Sequence, residues 1–445
     1  MTQINTEKNL CKSVPSVAIF FNPYPMFLFR NFMLLLMAVC FLTKAGAQEK
    51  TDPWLQQLLL SKASPLLQHV LNNPDSFQYQ IIYTEINRDK NNAPTFTNHY
   101  LHVDRNRYFN PASTVKLPTA LFALEKLNIM KRTGATKYSA MFTDSSYSSQ
   151  TAVYKDTSSA NGLPSIANYI KKVFLISDND AYNRLYEFDG QDQLNGFLHK
   201  KGYTDTRIVR RFVTMTEEEN RHTNAIKLVN HRDTVLRLLP VESKMNFDYS
   251  KQVLVGKAHY NRYDSLIQSP MDFTRHNNLP LEDLRQILQS VLFPESVPAK
   301  QRFNLSKDDL RFLYQSMSEY PSESEHPKYD TTEYYDSFTK FFLFKSGKQK
   351  IPDYIRIFNK PGWSYGYLTD AAYIADFKNK TEFMLSAVIY VNRDGILNDD
   401  KYEYDEIGYP FFKEIGQIIY QYELEKKRDF TPKLDGFKIN YHRNL

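Results

Sequence analysis

Apolar positions change their spacing twice along this chain, and the changes divide it into strands, then helices, then strands again. Gln78 to Ile86 is β-branched and aromatic and predicts a strand. A polar stretch from Asn87 to Pro94 reads as a turn, and His99 to Tyr108 as the returning strand. Apolar residues then take up helical spacing over Thr114 to Leu127, where Pro118 falls early enough in the helix to be tolerated. A Ser/Thr/Asp-rich loop follows from Thr143 to Gly162. Helices are predicted from Ser165 to Leu175, with Ser165 as cap, and from Asp180 to Phe188. From about Asp205 to Pro280 the chain is polar and carries several short helical patterns. Leu281 to Leu292 and Ser306 to Met317 are stronger helices, the second with Asp308 and Asp309 in its first turn. Three strands close the pattern, Tyr354 to Asn359, Leu368 to Phe377 and Glu382 to Val391, with Gly362 to Gly366 as a turn, before an amphipathic helix from Tyr409 to Glu423. Two strands at one end and three at the other predict an α/β (α+β) fold. A five-stranded antiparallel sheet built from both chain ends is flanked by helices, with a mostly helical lobe in the middle.

Composition narrows the class. The 445 residues are 42% hydrophobic, with 31 Tyr and 31 Phe against only 14 Gly, which excludes a disordered or repetitive chain. Residues 1–47 read as a targeting segment. Arg30 precedes the apolar run Phe32 to Leu42, and the small residues Ala45-Gly46-Ala47 form an exit, so cleavage is expected after Ala47. Met26 is a second candidate start. The run is too short to span a bilayer comfortably, so no membrane span is expected in the mature chain. Removing the segment changes the formal charge from +6 to +3, too mild a surplus to argue for nucleic acid. Cys11 and Cys40 both fall inside it, so the mature fold has no disulfide. Cys40 is the alternative, as a lipoprotein anchor.

The candidate chemistry starts at Pro111-Ala112-Ser113-Thr114-Val115-Lys116. On a helix, Ser113 and Lys116 lie one turn apart on one face, and an amine beside a hydroxyl can activate it as a nucleophile. The string is short, and Ser337-Phe338-Thr339-Lys340 repeats its pattern. What singles out the first copy is the later Ser177-Asp178-Asn179 and Lys360-Pro361-Gly362, in that order. Lys345-Ser346-Gly347 competes for the third place, but only Lys360 is followed by two strands and a closing helix. Lys345 and the Ser337 copy read as solvated loops. His99-Tyr100-Leu101-His102 lies on a predicted strand, which sends the two rings to opposite faces, and the other histidines are scattered, so neither a metal nor a cofactor is expected. His222 and His231 read as solvated.

With these motifs the chain resembles the serine hydrolase superfamily of class A β-lactamases and penicillin-binding proteins. The likeness covers most of Phe77 to Glu423, with insertions near 205–280 and 319–354. It implies a domain over 48–430 followed by a tail, 431–445. It also implies roles. Ser113 is the nucleophile, Lys116 its base, and Ser177 a proton relay supported by Lys360. Asn179, Gly362 and Trp363 bind substrate, and the backbone N–H groups of Ser113 and Trp363 form an oxyanion hole. The leading implied activity is that of a class A-like β-lactamase, hydrolysing the β-lactam amide through an acyl-enzyme at Ser113. The implied substrate is a small β-lactam or a peptidoglycan-stem-like amide, acted on by a secreted or periplasmic monomer. A D,D-peptidase, an esterase and a non-catalytic envelope-binding protein on the same scaffold are the alternatives. Two departures stand out. Pro361 replaces the family's hydroxyl residue, and no Arg occurs between Pro361 and Asn392. Continuing the likeness from Gly202 to Arg210 puts Phe212 where the class A enzymes carry their water-activating glutamate, with Glu219 as a nearby substitute.

Overall fold

The computed structural model describes residues 49–441, so the targeting segment expected over 1–47 lies outside the described residues. Its main strands are β1 (Gln80–Arg88) and β2 (Pro94–Leu101) from the first end, and β10 (Ile355–Asn359), β11 (Gly362–Ser364), β12 (Tyr367–Asp376) and β13 (Thr381–Tyr390) from the second. Between them run β3 (Ala140–Thr143), the hairpin β4 (Ile226–Asn230) and β5 (Asp233–Leu238), and the short β6 (Leu254–Val255), β7 (Ala258–Tyr260), β8 (Leu266–Ile267) and β9 (Met271–Asp272). The main sheet is antiparallel in the order β10-β12-β13-β1-β2. β1 and β13 join the two chain ends, with Ile82 opposite Ser386. The expected five-stranded sheet gains a sixth, short member. The segment read as a turn at Gly362 pairs with β12 through Gly362 opposite Thr369.

Period-2 alternation splits the sheet between two cores. Ile81 and Tyr83 face one core with Leu385, Phe412 and Ile415. Ile82, Met384 and Val388 face the other with Leu284 and Leu288. Every residue of β12 and β13 is buried, because helices cover both faces of the central strands. The Lys116–Ile129 helix is buried over its whole first three turns, Lys116 to Leu127, and forms the axis of the helical lobe. The described part of the tail, 431–441, is docked. Phe437 is buried among Phe293, Phe358 and Tyr373. No helix among the described residues is long and apolar enough to cross a membrane.

Three expectations need correction. The 205–280 insertion, read as short helices, holds a single five-residue helix, Glu217–Arg221, and otherwise the strands β4 to β9, so the middle lobe is less helical than expected. Ile226, Leu228 and the residues opposite them alternate as a hairpin, and His231 takes a positive φ of 53° in its two-residue turn. β2 spans Pro94–Leu101 instead of His99–Tyr108, because the chain reverses tightly at Asn92 (φ 65°) and leaves the sheet at His102 (φ 54°). Ser337, Lys340 and Lys345 are buried, not solvated. Their amines find backbone acceptors at Met317 and Phe338.

One buried cluster ties the segment after Gly202 to the Asn179–Asp189 helix. Glu187 accepts from Arg211 Nε and Arg184 Nη1, both at 3.0 Å. Asn183 Oδ1 accepts from the Phe212 N–H at 2.7 Å, and Tyr182 Oη donates to the Arg210 carbonyl at 2.9 Å. Residues 210–212 are thereby fixed against the helix that begins at Asn179. Arg211 is 0% exposed, so removing its carboxylate leaves a buried cation without its partner. Glu187→Ala is expected to lose about 3–5 kcal/mol of stability in denaturant unfolding. A loss below about 1 kcal/mol shows that the cluster does not hold this segment.

Candidate active site

The nucleophile segment is shaped before its helix begins. Asn110 Oδ1 accepts from the Ala112 N–H at 3.0 Å, and Ala112 adopts a φ of 44°, rare for a residue with a Cβ. Thr114 closes the turn onto the Pro111 carbonyl through both its N–H (3.0 Å) and its hydroxyl (2.6 Å). A short 3₁₀ turn over Ala112–Val115 then runs into the helix at Lys116. Ser113 is left half-exposed at the mouth of a cleft of about 380 Å³. β11 lies directly against this turn. A Cβ built on Gly362 would sit 2.6 Å from the Ser113 nitrogen and 2.8 Å from the Pro111 carbonyl oxygen, so only glycine lets the strand approach.

Beneath Ser113 two lysines converge on one hydroxyl. Lys116 is 0% exposed. Its Nζ donates to the Ser177 carbonyl, to Ser177 Oγ at 3.3 Å and to Asn179 Oδ1 at 2.8 Å. Lys360, also 0% exposed, donates to the same Ser177 Oγ at 2.9 Å and to the Pro361 carbonyl at 2.7 Å. Ser177 reaches this point because it takes a φ of 62°, while Asp178 caps the following helix by accepting from the Ala181 N–H at 2.8 Å. Burial holds the Lys116 amine well below the usual lysine range, and the charge on Lys360 pushes it further down. Burial also brings Lys360 down to about 7, opposed by Asp370 and assisted by Lys340. A neutral amine beside a hydroxyl, with a second amine on the far side of a relaying hydroxyl, can remove a proton from one oxygen and deliver one to another.

The structure thus gathers Ser113, Lys116, Ser177, Asn179, Lys360, Gly362 and Trp363 in one place. Ser113, Asn179 and Trp363 line the cleft, and Gly362 seats β11 against it. Lys345 stays apart. Its amine lies within 5.0 Å of the ring centres of Tyr335, Phe338 and Tyr409 and donates to the Phe338 carbonyl.

Arg210, Phe212 and His276 also line the cleft; the likeness from Gly202 to Arg210 pointed to Phe212, while no motif gave Arg210 or His276 a role. His276 is contributed by the insertion, which no spacing rule could register. Arg210 Nη1 lies 2.9 Å from His276 Nε2. Burial first, and Arg210 second, press His276 down to about 3, which leaves the ring neutral. Phe212 covers the Lys116 amine at 5.1 Å from the ring centre. No Asp or Glu among the described residues lines the cleft. Glu219 forms a capping box with Thr216 and accepts from Ser149. Glu218, His222 and Glu242 place ligand atoms within 4.8 Å of one another, but none of them lines the cleft, His222 is paired with Glu218, and Glu242 is engaged by Lys244.

Residues 67–240 match the model of the β-lactamase enzyme family, over the segment that holds Ser113, Lys116, Ser177 and Asn179. This segment is similar to the β-lactamase enzyme family. Among solved structures, a β-lactamase from Sphaerobacter thermophilus is 13% identical and covers 82% of this chain and 97% of its own, with a TM-score of 0.44. The TLA-3 extended-spectrum β-lactamase is 16% identical over 81% of this chain and 98% of its own (TM-score 0.45). The penicillin-binding protein PBP-A is 15% identical over 84% and 98% (TM-score 0.44). No curated protein matches the sequence.

The contact of Gly362 with the Ser113 backbone gives a direct test. Gly362→Ala forces β11 away from the nucleophile turn and is expected to slow covalent labelling of Ser113 by about 100-fold. Thermal unfolding should change far less. Labelling at the parental rate shows that β11 need not touch this turn.

Proposed function

We propose that the chain is an extracytoplasmic serine hydrolase that forms an acyl-enzyme at Ser113 and releases it slowly. One observation carries this reading. Two fully buried lysines share the Ser177 hydroxyl at the foot of a cleft that opens on Ser113. Neutral Lys116 takes the Ser113 proton as Oγ attacks the carbonyl of a β-lactam or a peptidoglycan-stem-like amide. The backbone N–H groups of Ser113 and Trp363 hold the oxyanion, and Asn179 and Gly362 border the substrate. Ser177, donated to by Lys360, passes a proton to the leaving nitrogen. Arg210, facing the cleft beside neutral His276, supplies the cation for a substrate carboxylate, which Pro361 can no longer bind through a hydroxyl.

Hydrolysis of the acyl group needs a base for water. By the likeness running from Gly202 to Arg210, Phe212 falls where the class A β-lactamases carry a carboxylate; it lines the cleft, and Glu219 is held outside it as a helix cap. This supports turnover closer to that of a penicillin-binding peptidase than to a fast β-lactamase. The family match favours the class A-like β-lactamase as the second reading. The basic, apolar and small residues that close 1–47 support export.

Incubation with penicillin should add one acyl group, read by intact mass, and Ser113→Ala should abolish both this adduct and nitrocefin turnover. A mutant that labels like the parent removes Ser113 from the mechanism. Glu219→Gln should leave the adduct lifetime unchanged. Arg210→Ala is expected to weaken apparent binding of a carboxylate-bearing β-lactam by about tenfold, equivalent to about 1.4 kcal/mol, with a smaller effect on the rate at saturation.

A further inference from the structure

Behind Lys360 lies a second buried polar system that the motifs do not account for. Lys340 comes from the 319–354 insertion and is 1% exposed. Its Nζ donates to Asn359 Oδ1 at 2.9 Å and to the Met317 carbonyl at 2.6 Å. Asn359 Nδ2 donates in turn to both carboxylate oxygens of Asp370, at 3.0 and 2.9 Å, and to the Thr339 carbonyl at 2.7 Å. Asp370 is 0% exposed and also accepts from the Phe341 N–H. Asn359 is the residue before Lys360, and β10 and β12 pair it opposite Ala372, two residues beyond Asp370.

We propose that Lys340 and Asp370, bridged by Asn359, are positioning residues that fix the site and the charge of Lys360 where it meets the Ser177 hydroxyl. This inference rests on the acyl-enzyme reading above. The Asn359 side chain cannot rotate without breaking contacts to Lys340, Thr339 and Asp370, so the backbone that carries Lys360 is held from the buried side. The charges work in opposite directions. Asp370 favours the protonated Lys360 and Lys340 disfavours it. Burial brings Lys340 down to about 7 and lifts Asp370 to about 7, so each keeps its charge near neutral pH only in the other's company. The remaining charged groups around this system are Lys116, across Ser177 from Lys360, Asp178 beside it, and Arg356 with Glu323, which act on Lys340. Arg356 and Glu323 form their own pair at 2.7 Å.

The test is the pH dependence of the rate at which a fluorescent penicillin labels the full-length protein. Loss of the Lys360 proton sets the alkaline limb of that profile. Removing the positive charge with Lys340→Met should move the limb to higher pH. Removing the negative charge with Asp370→Asn should move it to lower pH. Each shift should be about half a pH unit or more. The double variant should return towards the parent, and Lys340→Arg should keep the parental limb. Variants are compared only when their circular dichroism matches the parent. Asp370→Asn, which keeps its volume and can still bond to Asn359, carries the test if Lys340→Met does not fold. Opposite shifts support the proposal. Identical limbs in folded variants that still label, or shifts of the same sign, overturn it and leave acylation of Ser113 standing. A parent that takes up no label overturns both.

Discussion

The Ser177 hydroxyl is held between two fully buried amines, and much of the surrounding structure serves that contact. A lysine buried without a carboxylate against it gives up its proton more readily, because the interior disfavours the charge. Two such lysines within reach of one oxygen reinforce the effect, since each opposes the other's charge. Lys116 is the more affected, being enclosed by the helix it begins, by the Ser177 carbonyl and by the Phe212 ring. The result is an amine that gives up its proton far more readily than an exposed lysine.

Holding that placement requires backbone shapes that ordinary residues avoid. Ala112, Ser177 and Tyr365 all take positive φ, and all three lie at the cleft or its floor. Such conformations cost of order 1–3 kcal/mol each and persist only where the surroundings enforce them. The enforcement is visible. Asn110 ties Ala112, the Asp178 cap follows Ser177 directly, and β11 packs onto the Ser113 turn through the missing side chain of Gly362. The Glu187 cluster does the same for residues 210–212, placing Arg210 and Phe212 in the cleft from a segment with no regular structure of its own.

Much of this was legible in the sequence because it depends on local order. Hydrophobic spacing gave the central strands and the closing helix, and three short strings in sequence order gave Ser113, Lys116, Ser177 and Lys360. What could not be read depends on contacts between distant segments. Lys340 and Lys345 flank the apolar run Phe341 to Phe344, but a lysine ordinarily points to water, so the run alone did not mark the amines themselves as buried. Their acceptors, the carbonyls of Met317 and Phe338, are backbone atoms that carry no sequence signal. His276 reaches the cleft only because the insertion folds back as paired strands, a pairing masked by strands of two or three residues. The β11 strand was missed for a related reason. Its three residues look like a turn until β12 is there to pair with them.

The identity of residue 212 bears on both halves of the proposed reaction at once. A carboxylate in that place would form an ion pair with Lys116, stabilise its charged form and weaken it as a base for Ser113, while offering itself as a base for water. The Phe212 ring does neither. It adds to the burial that keeps Lys116 neutral, and it denies the cleft an acid to polarise water. In the proposed reaction, efficient removal of the Ser113 proton and inefficient removal of the acyl group would both follow from the same side chain. That coupling would let Ser113, Lys116 and Ser177 serve as nucleophile, base and relay while the acyl group stays longer than in a fast β-lactamase.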